Sequence, residues 1–223
     1  MIVLGLDGAL GGFSASIAVD DAVVATISIA GNVALEAGLG AVRELLDGAH
    51  YEPSQLNRIA VGVGPGSFTG LRITIAYAKS LAQAWRIPLA GISSFDALEY
   101  GRSAERALTV VVGRPGIISA RYRDGSAQRR ASGKASDVLA NILPRVDERT
   151  LPVLGAPEDV FAYLAEGGFI VEPRSPIVTP PAAAIALAGV HARAAASIHE
   201  VRADYGEAPA AHVPTFRPTD RKR

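Results

Sequence analysis

The residues able to do chemistry in this chain are few, and their spacing excludes more than it builds. His50, His191, His199 and His212 are its histidines. His191 and His199 stand eight positions apart, whereas two ligands on one helical face need the i,i+4 spacing. With no third ligand at helical spacing, no metal site is expected. The chain has no cysteine, which removes thiolate nucleophiles, thiolate metal sites and disulfides. Ser67 lacks the Gly-x-Ser-x-Gly setting of a nucleophile elbow, and no His–Asp pair is placed by motif. The P-loop spacing ending in Gly-Lys-Ser/Thr is absent. Two places remain open. Gly64-Pro65-Gly66-Ser67 could cradle an anion where the free N–H groups and dipole of a helix start converge, or form only a tight strand-to-helix turn, the simpler reading. Asp7, beside Gly8, Gly11 and Gly12, is either a phosphate or metal-water contact or a turn former, the commoner role of Asp at a strand end.

The elements that must hold these residues are legible around the glycine turn. Residues 59–63 form an apolar run stopped by Gly-Pro-Gly, a buried strand. Ser67 and Thr69 supply hydroxyls for capping a helix over 70–85. Pro88 then leads into a second apolar run at 89–92, completing a βαβ unit. In that helix Leu71, Ile75, Ala78 and Ala82 make one core stripe. Arg72, Ala76, Lys79 and Gln83 lie around the cylinder, and small residues such as Thr74, Ser80 and Ala84 let it pack closely on a second face.

Upstream, runs at 2–6, 14–19 and 23–29 predict an antiparallel meander, followed by a helix over 34–47 with Leu35, Leu39, Val42 and Leu46 as its apolar stripe. Gly38 and Gly40 weaken that helix by roughly 1 kcal/mol each relative to Ala. Downstream, a polar stretch at 99–105 marks a boundary. Strands at 108–112 and 117–122 flank a turn, and a polar, exposed stretch fills 123–134. Short helices are expected at 136–143, capped by Ser136, and at 157–166, with strands at 151–154 and 169–171. Pro180-Pro181 opens an alanine-rich helix to about residue 200. The organisation expected is an N-terminal lobe over 1–102, a smaller lobe over 103–207 and a basic, Pro-containing tail over 208–223. No repeat of fixed period is visible.

Composition narrows the class. A chain of 223 residues that is 49% hydrophobic is expected to fold with ample core. Its 22 basic and 22 acidic residues give no net charge, which disfavours holding nucleic acid unaided. No basic n-region precedes the first apolar run, and nothing approaches the ~20 apolar residues of a membrane span. A soluble, cytoplasmic protein is the expectation.

The block Val61-Gly62-Val63-Gly64-Pro65-Gly66-Ser67-Phe68-Thr69-Gly70-Leu71-Arg72 closely resembles the signature of the TsaB (YeaZ) family, as do Ala78-Lys79-Ser80-Leu81-Ala82 and Ile87-Pro88-Leu89-Ala90-Gly91-Ile92-Ser93-Ser94. Pro214-Thr215-Phe216-Arg217 looks like that family's Pro-x-Tyr-x-Arg. The resemblance implies an α/β, two-lobed actin/sugar-kinase-like (ASKHA, ribonuclease H-like) fold with a reduced second lobe. It places Asp7 where such folds make a phosphate contact. It also implies a pseudoenzyme: an accessory, non-catalytic subunit that activates the threonylcarbamoyl transferase TsaD, with the ATPase TsaE, in threonylcarbamoyl modification of tRNA adenosine. Members of the family form homodimers when isolated, meet tRNA only through the complex and carry no intrinsic cofactor, leaving a nucleotide only at a composite site with partner chains. Carried onto this chain, the partner surface is Leu35, Leu39, Val42 and Leu46 on the first helix, with Thr69, Arg72, Ile73, Ala76, Tyr77 and Ser80 on the second.

The sequence departs from the family in places. Gly8 and Leu10 stand where Thr is usual, Ala34 and Leu35 where His and Ser are common, Thr74 where Gly is frequent, and Val112 and Ile117 where Asp and Glu flank a hairpin. The lost hydroxyls weaken any case for intrinsic nucleotide chemistry. The alternative reading is an independent actin-like nucleotide hydrolase or a glycoprotease-like peptidase, and a free-standing homodimeric binding module is a third.

Overall fold

The computed structural model describes residues 1–10, 12–30, 34–102, 105–143, 150–175 and 181–206. Strands β1 (Ile2–Asp7), β2 (Phe13–Val19) and β3 (Ala22–Ile29) form the expected meander, with Leu4 opposite Ile17 and Phe13 opposite Ile29. β4 (Arg58–Gly64) pairs in parallel with β1, and β5 (Leu89–Ser93) in parallel with β4, so the sheet order is β3-β2-β1-β4-β5. α1 (Gly38–Gly48) precedes β4, and α2 (Phe68–Trp85) links β4 to β5. Period-2 alternation turns Leu4, Leu6, Ile59 and Val61 to the face that α1 and α2 cover. There Leu71, Ile75, Ala78 and Ala82 are buried, as the spacing of α2 predicts. Full burial of a side chain such as Leu71 contributes about 1.5–3 kcal/mol.

The first helix differs from expectation. It begins at Gly38, not at residue 34, because the carbonyl of Leu35 accepts the Tyr77 hydroxyl (2.8 Å) and the Gly38 N–H (3.3 Å). Its buried positions are Gly38, Ala41, Val42, Leu45 and Leu46, while Leu39 is 45% exposed. α3 (Ser94–Glu99), a helix too short for periodicity to reveal, follows β5 directly, with the Ser93 hydroxyl accepting the Phe95 N–H at 3.1 Å.

A second sheet repeats the topology of the first. β6 (Arg106–Arg114), β7 (Ile117–Asp124) and β8 (Ala127–Lys134) form a meander; β9 (Thr150–Leu154) joins β6 in parallel, and β10 (Ile170–Ser175) joins β9 in parallel. The order β8-β7-β6-β9-β10 matches β3-β2-β1-β4-β5 strand for strand. α4 (Ala135–Ile142) and α5 (Glu158–Glu166) take the places of α1 and α2, and α6 (Pro181–His191) that of α3. The duplication has no counterpart in a sequence repeat. The polar stretch at 123–134 includes strand β8, an edge strand on which Arg129 and Arg130 are exposed. Lys134, not Ser136, occupies the cap position of α4.

α6 lies within the stretch expected to form the second lobe, yet it packs on the first sheet. Val3, Ala60 and Ile92 join its Ile185 and Ala97 of α3 in a separate cluster on the face opposite α1 and α2. Contact is close because the facing residues are small: a Cβ on Gly5 would lie 2.4 Å from the carbonyl oxygen of Ala182. The helix ends at His191, short of the expected 200, because Arg58 Nη1 donates to the carbonyls of Gly189 (2.6 Å) and Ala192. The Ala195 N–H then pairs with Leu89 O at 2.9 Å.

The two sheets meet through α3. Glu99, 9% exposed, accepts Arg121 Nε (3.0 Å) and Nη2 (2.9 Å) as a bidentate pair, and also the Thr109 hydroxyl (2.6 Å). Arg121 is 4% exposed and reaches Asp96 Oδ1 at 2.6 Å, with its guanidinium 5.0 Å from the Phe95 ring. Removing Glu99 strands a buried cation. Glu99→Ala is therefore expected to destabilise the fold by about 3 kcal/mol in denaturant unfolding, the low end for a broken buried pair because Asp96 stays in place.

Candidate partner-binding face

β4 delivers the chain to the Gly64-Pro65-Gly66 turn, whose Gly64–Pro65 bond is cis, and Ser67 caps α2 by accepting the Gly70 N–H at 3.3 Å. Chain from both ends of the sequence pins this turn. The Ser67 N–H donates to Ala9 O (2.8 Å), and the Asp204 N–H donates to Val63 O (2.7 Å). The loop after β1 lies directly against the start of α2, where a Cβ on Gly70 would fall 1.8 Å from Gly8 O. Only glycine fits at 70. Two N–H donors that an anion would use at this helix start, those of Ser67 and Gly70, are thus committed to the chain itself.

Asp7 is 2% exposed and serves that same loop: its Oδ2 accepts the N–H groups of Ala9 (3.1 Å) and Leu10 (3.2 Å). Its Oδ1 is buried close to Gly62, with no hydrogen-bond partner among the described residues. Burial pushes the carboxyl up to about 6 from the ordinary 3.8, against the opposing pull of the two backbone hydrogen bonds. Among the described residues no group of three His, Asp or Glu side chains is placed to hold a metal ion.

Two departures from the family pattern meet in space. A Cβ on Gly8 would lie 2.2 Å from Thr74 Oγ1, so the side chain absent at 8 makes room for the one present at 74. Thr74 is fully buried, and its hydroxyl has no hydrogen-bond partner among the described residues.

The residues expected to meet a partner divide into two groups. Val42 (2% exposed) and Leu46 (4%), expected on the partner surface, are buried in the chain's own core. On α1 the outward positions are Leu39, Gly40, Arg43, Glu44 and Asp47. Leu35 is half-buried beneath Tyr77, itself half-buried and edge-on to Phe13 with ring centroids 6.5 Å apart. On α2, Thr69, Arg72, Ala76 and Ser80 are exposed and Ile73 is half-buried. Sequence reasoning missed Phe68, 55% exposed, which holds the guanidinium of Arg72 at 5.2 Å and the ring of Tyr205 at 4.8 Å. The i,i+4 row 68, 72, 76, 80 contained the signal. No helix among the described residues is long and apolar enough to cross a membrane.

Comparison with known proteins adds the following. A family model described as TsaD, tRNA N6-adenosine threonylcarbamoyltransferase, matches residues 29–198. The tRNA threonylcarbamoyladenosine biosynthesis protein TsaB of Bacillus subtilis is 32% identical over 119 residues, 51% of this chain and 52% of that protein. Its Escherichia coli namesake is 30% identical over 122 residues, 53% of each. The chain therefore spans about half the length of these curated relatives. YeaZ from Pseudomonas aeruginosa has the same fold, with a TM-score of 0.68 at 21% identity over 92% of this chain and 100% of that one. The two-sheet α/β architecture is thus the fold of YeaZ.

Two outcomes test the geometry around the β1 loop. Because the value for folded Asp7, about 6, lies above the ordinary 3.8, the folded protein holds this proton more tightly than the unfolded chain. Stability then falls as pH rises from about 4 to about 6, and roughly 3 kcal/mol of penalty persists above that. Asp7→Asn is expected to remove this slope and raise the unfolding midpoint near neutral pH. Separately, Gly8→Thr should destabilise by about 1–3 kcal/mol through overpacking. In the Thr74→Ala background that loss should shrink by at least about 0.5 kcal/mol in a double-mutant cycle.

Proposed function

Since this chain belongs to the tRNA N6-adenosine threonylcarbamoyltransferase family, with TsaB proteins among its relatives, we propose that it is an accessory, non-catalytic subunit in threonylcarbamoyl modification of tRNA adenosine. In this reading it binds and activates a TsaD threonylcarbamoyl transferase, with the ATPase TsaE as a further partner. The tRNA is met only through the complex, in the cytoplasm, and the isolated chain self-associates through the same face.

The exposed row of α2 carries the reading. Phe68, Thr69, Arg72, Ala76 and Ser80 lie outward on a helix whose opposite face is fixed in the core. Small side chains there allow another helix to approach closely, and Phe68 and Arg72 are residue types enriched where proteins dock. The loop chemistry supports the same reading. In an actin-like enzyme the β1 loop and the following helix start would hold phosphate, whereas here Gly8 and Ala9 close on Gly70 and Ser67. A nucleotide belongs instead to a composite site that a partner chain completes.

Association with TsaD from the same organism, followed by light scattering, and tRNA modification in the presence of TsaE and ATP, test this. A complex that restores modification, with the chain inactive alone, is expected. ATP hydrolysis by the isolated chain without association would instead favour an independent hydrolase. Ser80→Trp is expected to leave the unfolding free energy within about 0.5 kcal/mol of wild type. It should weaken association at least about tenfold by blocking close approach. Bulk at Ser80 is a cleaner probe than charge at Ala76, because Arg72 and Lys79 stand beside Ala76 and would pair with an introduced carboxylate.

A further inference from the structure

Beside the exposed row of α2 runs an open groove of about 330 Å³, with the segment 201–206 as its far wall. Its floor is apolar, made by Ile75 and Ala76 on one side and Val201 and Ala203 on the other. Its rim carries three cations, Arg72, Lys79 and Arg202, and among the described residues no carboxylate lines it. Among the described residues neither Arg72 nor Lys79 has an ion-pair partner; Arg72 rests on the Phe68 ring, and Arg202 Nε only reaches the His199 carbonyl at 3.4 Å. The far wall is built in place. Val201 is 5% exposed, the Asp204 N–H holds Val63 O, and the Tyr205 ring lies on Phe68. The neighbouring carboxylate, Asp204, turns away from the cations to accept the Gly206 N–H at 2.9 Å.

We propose that this groove receives an acidic segment of the partner protein, its carboxylates between Arg72, Lys79 and Arg202 and an apolar side chain of the segment on Ile75 and Ala76. The proposal rests on the reading of α2 as partner-facing and names the chemistry of what docks there. Charge complementarity selects the occupant. Residues 207–223 carry Arg217, Arg221, Lys222 and Arg223 against Glu207 and Asp220, so the chain's own tail has the wrong sign. A second copy would bring the same cations to a symmetric contact. An RNA strand would answer the charge but not the apolar floor, and the chain's zero net charge gives none of the long-range pull that unaided RNA binding draws on.

The experiment measures affinity for TsaD from the same organism by titration calorimetry at about 0.1 M and about 1 M salt. Wild type is compared with Lys79→Glu, Arg202→Glu and the Ser80→Trp variant, each checked for an unchanged unfolding midpoint. At least a tenfold loss in each charge reversal, together with weaker wild-type binding at high salt, is expected. If Ser80→Trp weakens binding while both reversals stay within about twofold of wild type, the groove is empty in the complex and the proposal fails while the partner face stands. If wild type does not bind at all, the partner reading falls and takes this one with it. A labelled single-stranded RNA is run as competitor. Its binding to the isolated chain, lost in the same two reversals, would overturn the proposal in favour of nucleic acid.

Discussion

The bidentate pairing of Glu99 with Arg121 is the constraint on which the arrangement of the two sheets depends. Each sheet has its own apolar core against its own pair of helices. Between them lies a polar network around the Phe95 ring: Glu99 and Asp96 from α3, Thr109 from β6, Arg121 and Arg123 from β7. An ion pair at such a place contributes less net stability than a hydrophobic contact of equal area, since desolvation offsets much of its attraction. Its contribution is orientation. A guanidinium fork satisfied on two edges fixes an angle as well as a distance, and α6 must return across that junction to reach the first sheet.

Much of the fold was legible where one face of an element is apolar. Every strand of the first sheet showed as a short run, and the core stripe of α2 was read correctly because its side chains differ sharply between faces. α1 failed that test for a physical reason. Gly38 and Ala41 count as buried surface although they contribute little hydrophobicity, so the stripe assigned from the large residues was rotated and placed Leu39 inward. In the span 181–191 nearly every residue is small and apolar, so periodicity carried no direction and the sheet it covers could not be inferred. β8 was missed because an edge strand with polar residues on both faces has no alternation to read. The duplicated topology escaped for a different reason: backbone pairing preserves strand order, but it does not require the two halves to share side chains.

The site was legible in kind more than in detail. The glycine turn, its capping serine and the outward row of α2 all follow from local chemistry. The burial of Val42 and Leu46, the place of Phe68 and the groove against residues 201–206 depend on contacts between distant parts of the chain. The pairing of Gly8 with Thr74 is of the same kind. Read singly, the two substitutions look like losses of a hydroxyl and of a close helix contact; together they exchange a side chain from one wall of a contact to the other.

The crossing of α3 and α6 has a consequence for biosynthesis. The face of the first sheet that carries Val3, Ala60 and Ile92 is covered only by α3 until α6 reaches it. That helix ends about a hundred residues after β5 is complete. At roughly 5–20 residues per second the ribosome needs on the order of 10 s to supply it. During that interval the nascent N-terminal half holds an apolar sheet surface that α3 covers only in part. The first sheet, translated first, thus receives its last covering helix only after the strands of the second sheet have been made.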